Sequence, residues 1–265
     1  MKLSIVILNY KSKNLVKGQL KKILTFKFSW PWEIIVVDNN SQDGIGQIIK
    51  KYFPVVKFLQ FKKNIGMGAG NNAGIKASSG EYILIANPDI FITEDAVKTM
   101  VSFMDRNKKT GVIGPSILNP DKTPQESCWR FPKFITFIYR RTFLGNTSIG
   151  RSHLKSHSYY DLSHNDNIEV DWVLGGCMLI RRQTLKEIGM FDSRFFLFLE
   201  DTDLCRRATL AGWQVWYLGR AKVIHLPHRL SASRGFIIKY LFSKIVWIHI
   251  CSWIKYFWKW RRFSQ

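Results

Sequence analysis

The chain has 265 residues, with 40 Lys and Arg against 19 Asp and Glu, for a formal net charge of +21. With 46% hydrophobic and 14% aromatic residues, 18 Gly and 8 Pro, it is neither disordered nor collagen-like. It has apolar material for one large domain, or a domain with an appendage, and its charge calls for nucleic acid, anionic lipid or a phosphorylated substrate.

In chain order, 4–8 and 33–37 are short β-branched runs that end in polar residues, as buried parallel strands do. Between them, Leu15, Leu20, Ile23 and Leu24 fall at roughly helical spacing within 11–26. A helix is expected over 45–52, a third strand over 55–61, a Gly-rich loop entering a helix over 66–78, and a fourth strand over 82–86. A helix over 94–107 and a strand over 111–118 complete a repeated strand–helix order. That order predicts an α/β fold with a mostly parallel sheet and helices on both faces. Residues 120–169 are Pro-, Ser- and His-rich and read as an excursion or mobile loop, with His153, His157 and His164 solvated. Strands are expected over 170–180, 213–218 and 222–225, with helices over 182–188 and from about 200 to Gly212. Residues 234–263 read as a separate basic, aromatic helix.

The apolar run at 3–8 is too short for a secretory leader, and no run of 18 apolar residues predicts a membrane span. Cys128, Cys177, Cys205 and Cys251 lack C-x-x-C spacing and read as buried thiols in a reducing compartment.

Five groups of residues carry candidate chemistry. Asp38 ends a predicted strand, where ligands of open α/β sheets bind; it suits a base or ribose hydroxyl, and equally a turn. Gly66, Gly68 and Gly70 let backbone approach a ligand or another element closely. Asn71 stands where a dinucleotide fingerprint needs its third glycine, so nicotinamide binding is disfavoured. Asn87-Pro88-Asp89 ends another apolar strand, and a carboxylate there suits a divalent ion holding phosphates. Glu200, Asp201 and Asp203 sit together at a helix start. Asp203 can pair with Arg206 three residues on, leaving Glu200 and Asp201 free to face a cleft as general base. His225 ends a late strand and is either a metal ligand or a polar strand end.

Taken together, 4–10, 36–41, 64–74, 80–89, 175–181, Phe191-Asp192 and 200–206 resemble, in order, the family 2 glycosyltransferases of the GT-A fold, in their bacterial rhamnosyltransferase-like branch. The resemblance implies an inverting, metal-dependent hexosyltransferase with a catalytic domain over 1–228 (donor half 1–119, acceptor half 120–228) and a tail over 229–265. It implies a nucleotide diphosphate sugar donor, dTDP-rhamnose or a UDP-sugar, held by Asn9, Tyr10, Asp38, Asn40, Asn64, Gly66, Asn72, Asn87 and Asp89. Mg²⁺ or Mn²⁺ would sit on Asp89, with His225 completing the site. Asp201 matches the family's catalytic base, with Glu200 beside it, and Trp172, Gly175 and Gly176 fall on the acceptor side. The acceptor would be a glycan or a polyprenyl-diphosphate-linked sugar.

The charge distribution bears on the partner. No acid follows Asp203, whereas twelve Lys and Arg do. On a helical projection of the tail, Lys244, Lys255, Lys259 and Arg262 share one sector, opposite Trp247, Ile250, Ile254, Phe257 and Trp258. This predicts an in-plane helix on an anionic membrane surface, on the cytoplasmic face of the cell membrane. Basic–aromatic mixtures also bind single-stranded nucleic acid, but no nucleic-acid motif accompanies this one. A catalytically inert scaffold is disfavoured by the intact Asp89, Glu200 and Asp201.

Overall fold

The structure is a computed structural model that describes residues 1–159, 165–226 and 243–261. The first half alternates β1 (Leu3–Asn9), α1 (Lys13–Ile23), β2 (Trp32–Asp38), α2 (Ile45–Tyr52), β3 (Lys57–Gln60), α3 (Met67–Ala77), β4 (Tyr82–Ala86), β5 (Ile90–Phe91), α4 (Glu94–Arg106) and β6 (Thr110–Leu118). Then come β7 (Pro124–Gln125), β8 (Cys128–Trp129), α5 (Phe134–Arg141), a 3₁₀ turn (Phe143–Asn146), α6 (Ser148–His157), β9 (Asn167–Glu169), β10 (Trp172–Val173) and β11 (Cys177–Arg181). Helices α7 (Arg182–Ile188) and α8 (Glu200–Leu210), strand β12 (Gln214–His225) and helix α9 (Lys244–Trp260) follow.

Every residue of β1 is buried, because both faces of the sheet are covered. Leu3, Ile5 and Ile7 pack with Val16 and Leu20 of α1 and Met100 of α4. Val6 and Leu8 point the other way, to Ile75 of α3, Leu185 of α7 and Leu204 of α8. The strand order is β3-β2-β1-β4-β11-β6-β12-β5. The first four strands are parallel, so Asn9, Asp38 and Ala86 end on one edge. The second half is mixed, with β11 antiparallel between β4 and β6. Helix α3 lies close on this sheet because it is built of small residues: a Cβ on Gly74 would stand 2.3 Å from Val6 Cγ1, and one on Gly70 2.6 Å from Leu8 Cδ1. These two glycines therefore serve packing.

Several expected elements are redrawn. The strand at 170–180 is interrupted: Leu174 N donates to Ser127 O and Gly175 N to a side chain, so the chain leaves the sheet between β10 and β11. The strands at 213–218 and 222–225 are one strand, β12, with a register shift between Leu218 and Lys222. Residues 120–169 are not a bare loop. They carry α5 and α6, joined by a 2.8 Å bond between Thr136 Oγ1 and His153 Nε2, and Phe134 and Phe137 pack on Trp253 of α9. His157, expected in solvent, is buried, and burial with the nearby Arg140 pushes its pKa down to about 3. His164 lies outside the described residues. Three cysteines are buried and Cys251 is exposed.

The faces of α9 also differ from the projection. Ser252, Tyr256, Phe257 and Trp260 turn inward, the three aromatics onto Phe195 and Leu199. Lys259, expected at the surface, reaches Asp192 (2.8 Å) and the fully buried Asp203 (2.6 Å), and Lys255 donates to Arg194 O. Buried carboxylates need counter-charge, and that need overrides helical amphipathicity here. Asp203 also pairs with Arg207 at i,i+4, while Arg206 lies over the rings of Phe131, Tyr256 and Trp260. Trp247, Cys251, Ile254 and Trp258 form an exposed outer stripe. Arg262 is outside the described residues.

Candidate active site

Asp38 and Asn9 stand opposite each other at the ends of β2 and β1. Asp38 is buried and accepts from Asn9 Nδ2 (2.9 Å), Ser41 N and Gln60 Nε2 (3.3 Å). It forms one wall of a 620 Å³ cavity lined also by Gln42, Asp43, Lys50, Phe58 and Gln60. Asn40 adopts a left-handed conformation beside it (φ 61°), and Tyr10 is exposed at the end of β1. Asn9 holds Asp38 and Ser41 in place. Asn64 Oδ1 accepts from Asn39 Nδ2 and from Gly66 N, which shapes the loop into α3. Asn72 exchanges two bonds with the Phe191 backbone, Nδ2 to O at 2.7 Å and N to Oδ1 at 3.0 Å. That pair ties α3 to the segment leading to α8.

The second cluster joins β4, β5 and β12. Pairing of His225 with Ile90 brings Asp89 against His225, with Oδ2 and Nε2 3.4 Å apart. The other ring nitrogen, Nδ1, lies 3.0 Å from Gln125 Oε1. Gln125 Nε2 donates to Asn119 Oδ1, so its amide oxygen faces the histidine. That oxygen can only accept, so Nδ1 donates to it and Nε2 is the nitrogen that faces the carboxylate. With Nε2 deprotonated, a carboxylate and an imidazole nitrogen at this spacing can share a cation, and a histidine oriented through its far nitrogen is the common arrangement at metal sites. Among the described residues no group of three His, Cys, Asp or Glu could hold a metal, so Asp89 and His225 supply only part of a coordination shell. Magnesium-type ions bind in this way, with one or two protein ligands and phosphate oxygens for the rest.

The third cluster is the start of α8. The preceding Phe198 and Leu199 are left-handed (φ 70° and 67°), which turns the chain sharply and aims both carboxylates inward. Asp201 Oδ2 accepts from Gly175 N (2.8 Å) and Oδ1 from Thr202 N (2.7 Å). Burial still raises its pKa above the ordinary value. Glu200 is buried beside it, and its Oε2 has no hydrogen-bond partner. Burial first, and the charge of Asp201 second, push the Glu200 pKa up to about 8. Neighbouring carboxyls made costly to ionise by burial mark functional sites.

The Gly175-Gly176 turn links the second and third clusters. Gly176 O accepts from Asn87 N (2.8 Å), while Gly175 N holds Asp201. A Cβ on Gly175 would stand 2.9 Å from Asp201 Cβ, so only glycine fits there. Trp172, expected on the acceptor side, is buried, stacked on Trp129 at 4.5 Å, and donates to Arg130 O. Sequence reasoning missed Gln60, Gln125 and Asn39. Gln60 was findable, since it ends β3 in register with Asp38. No local signal marks Gln125.

The comparisons with known proteins agree with this geometry. The Glycosyl transferase family 2 model matches residues 4–189. The N-acetylglucosaminyl-diphospho-decaprenol L-rhamnosyltransferase of Mycobacterium tuberculosis is 27% identical over 211 residues, 74% of this chain; the chain spans 66% of that relative's length. The rhamnosyltransferase WbbL of Escherichia coli is 27% identical over 85% of this chain and 81% of its own. Among solved structures, S. aureus TarS 1–349 in complex with UDP superposes with a TM-score of 0.58 at 21% identity, covering 84% of this chain and 60% of that fragment. The mannosyltransferase of Pyrobaculum calidifontis, solved with GDP-mannose and Mn²⁺, gives 0.59 at 15% identity over 86% of this chain and 58% of its own. The structural matches establish the GT-A fold, and the family match extends over most of the strands that carry Asp38 and Asp89. By that match, the chain belongs to glycosyl transferase family 2.

Proposed function

We propose that this enzyme is an inverting hexosyltransferase that moves a sugar, rhamnose in the first instance, from a nucleotide diphosphate donor to a hydroxyl of a glycan or lipid-linked acceptor. The observation that carries the reading is the turn at Gly175-Gly176. It fastens a buried carboxylate, Asp201, next to the Asn87-Pro88-Asp89 motif.

The donor's nucleoside enters the cavity beside Asp38, whose carboxylate accepts from a base N–H or a ribose hydroxyl. Its diphosphate lies toward Asp89 and His225. Asp89 and His225 would hold a divalent ion, Mg²⁺ or Mn²⁺, whose Lewis acidity would stabilise the leaving diphosphate. Asp201 takes the proton of the acceptor hydroxyl. The oxygen forms a bond to the anomeric carbon as the carbon–phosphate-oxygen bond breaks on the opposite face, and the centre inverts. Burial raises the basicity of Asp201, and the Gly175 and Thr202 amides fix its direction. Base assistance of this kind contributes about 10²–10⁴-fold.

A second assignment rests on one atom. Glu200 Oε2 is buried and unpartnered, so the ionised form of Glu200, which grows as pH rises toward its raised pKa, can instead accept the proton, with Asp201 as the fixed neighbour that raises its basicity. The sugar is also open to a second choice, a UDP-hexose, supported by the UDP complex of TarS.

The acceptor side faces a membrane in this reading. The M. tuberculosis relative is named for a decaprenol-linked substrate. Among the described residues no helix is long and apolar enough to cross a membrane. The outer stripe of α9, with Trp247, Ile254 and Trp258 exposed, suits the interface of an anionic cytoplasmic leaflet. The test of donor recognition is calorimetric titration of dTDP and UDP with Mn²⁺, with Mg²⁺ and with chelator. Metal-dependent binding lost in Asp89→Ala and weakened in Asp38→Ala supports the reading. Metal-independent binding of both nucleotides by Asp89→Ala counts against it.

A further inference from the structure

Helix α9 does more than offer an outer face. Its inner face grips the segment between Asp192 and Asp203, which both precedes and includes the Glu200–Asp201 pair. Lys259 Nζ bridges two carboxylates, Asp192 Oδ2 at 2.8 Å and Asp203 Oδ1 at 2.6 Å. Trp260 Nε1 donates to the same Asp203 oxygen at 3.0 Å. Ser252 Oγ donates to Leu197 O (2.8 Å) and Lys255 Nζ to Arg194 O (3.0 Å). Phe195 is buried among Tyr256, Phe257 and Trp260.

The gripped segment is one that would not hold its shape alone. Phe198 and Leu199 are consecutive left-handed residues, and neither is glycine. Such conformations persist only where surrounding contacts over-determine them. The same segment also touches the donor half: Phe196 O accepts from Met67 N at 2.7 Å, the first residue of α3. Asp203 is fully buried and lies two residues beyond Asp201, so its direction fixes the first turn of α8. Arg207 alone would leave one of its oxygens without a counter-charge.

We propose that α9 is a positioning element for the carboxylate pair, with Lys259 as the key residue: it pins Asp192 and Asp203 together and so holds the left-handed turn that aims Glu200 and Asp201 into the site. The catalytic assignment of that pair is the one made above, and the clamp itself can be read without it. The same helix that carries the exposed tryptophans thereby fixes the geometry of the base.

The test compares Lys259→Met, Lys259→Arg and Ser252→Ala with wild type, in the full chain. Hydrogen exchange of the amides of residues 195–203 needs no substrate. It should rise by about tenfold in Lys259→Met, by less in Ser252→Ala, and return close to wild type in Lys259→Arg. Turnover of the donor should fall in kcat by about tenfold or more in Lys259→Met, while the Kd for UDP with Mn²⁺ stays within about twofold. Unchanged exchange in a folded Lys259→Met overturns the proposal. So does faster exchange with a lower melting temperature and an unchanged kcat, which marks a purely structural contact. If wild type turns over no donor with a lipid-linked acceptor present, the proposed transfer fails by itself, and the exchange result alone decides whether the clamp exists.

Discussion

Replacing Glu200 with glutamine should stabilise the fold, and by an amount that grows with pH. Glu200 is 4% exposed, its Oε2 has no partner, and Asp201 is its neighbour. Burial and then the Asp201 charge move its pKa from 4.5 to about 8. The folded chain therefore keeps a proton that the unfolded chain has already released. A carboxyl shifted upward contributes most below its unfolded pKa and costs stability as pH rises toward its folded one. Each pH unit in that window removes about 1.4 kcal/mol. The cost reaches about 3 kcal/mol at pH 7 and about 4 kcal/mol at pH 8. Glutamine cannot ionise and escapes it. Urea unfolding of both proteins from about pH 5 to about pH 8 measures the difference directly. It should be small at the acid end and grow to about 3 kcal/mol by pH 7. A difference that stays constant across the range would refute the idea that Glu200 is held protonated by its surroundings.

Four other substitutions probe the α3 packing, the His225 partner and the outer face of α9. Gly74→Ala places a methyl 2.3 Å from Val6 Cγ1; overpacking of about 1–3 kcal/mol should exceed the helix-propensity gain of about 1 kcal/mol, and a thermal midpoint at or above wild type would contradict the packing argument. Gln125→Leu removes the acceptor that orients His225 and should weaken Mn²⁺ binding in the presence of UDP by about 10–100-fold; unchanged affinity would mean that His225 is not a ligand. Trp247→Ala and Trp258→Ala should each lower partition onto anionic vesicles by roughly tenfold or more, from about 2 kcal/mol of lost burial, and leave the melting temperature unaltered. Equal binding by wild type and both variants would remove the membrane face.

The sequence carries the α/β order and most of the site because both rest on local chemistry. Apolar runs that end in Asn9, Asp38 and Ala86 are strands whose ends share an edge, and that edge is where ligands bind in such sheets. What was not legible depends on distant partners. The inward turn of Lys259 follows from the buried Asp203 and the half-buried Asp192, residues 56 and 67 positions away. A helical projection places a lysine by angle alone and has no access to that demand. Gln125 sits on a two-residue strand, and its role arises only where β7 and β12 flank β6. Helix α5 escaped because Phe134 and Phe137 face Trp253 of α9, more than a hundred positions on. Glycines 70 and 74 lie inside a motif that reads as ligand-binding, yet they meet Leu8 and Val6 of the sheet.

The central claim is that a buried carboxylate beside Asn87-Pro88-Asp89 drives transfer of a sugar from a nucleotide donor. It is tested most directly by following turnover of dTDP-rhamnose and of UDP-hexoses with a lipid-linked acceptor, with Mn²⁺ and with chelator, in wild type, Asp89→Ala, Asp201→Asn and Glu200→Gln. The account predicts that one donor is turned over with inversion and only when metal is present. It also predicts that Asp201→Asn falls by about 10²–10⁴-fold in kcat with nucleotide binding intact. A similar loss in Glu200→Gln with Asp201→Asn active would move the base to Glu200. Full turnover in both Asp201→Asn and Glu200→Gln, or in chelator, would contradict the mechanism.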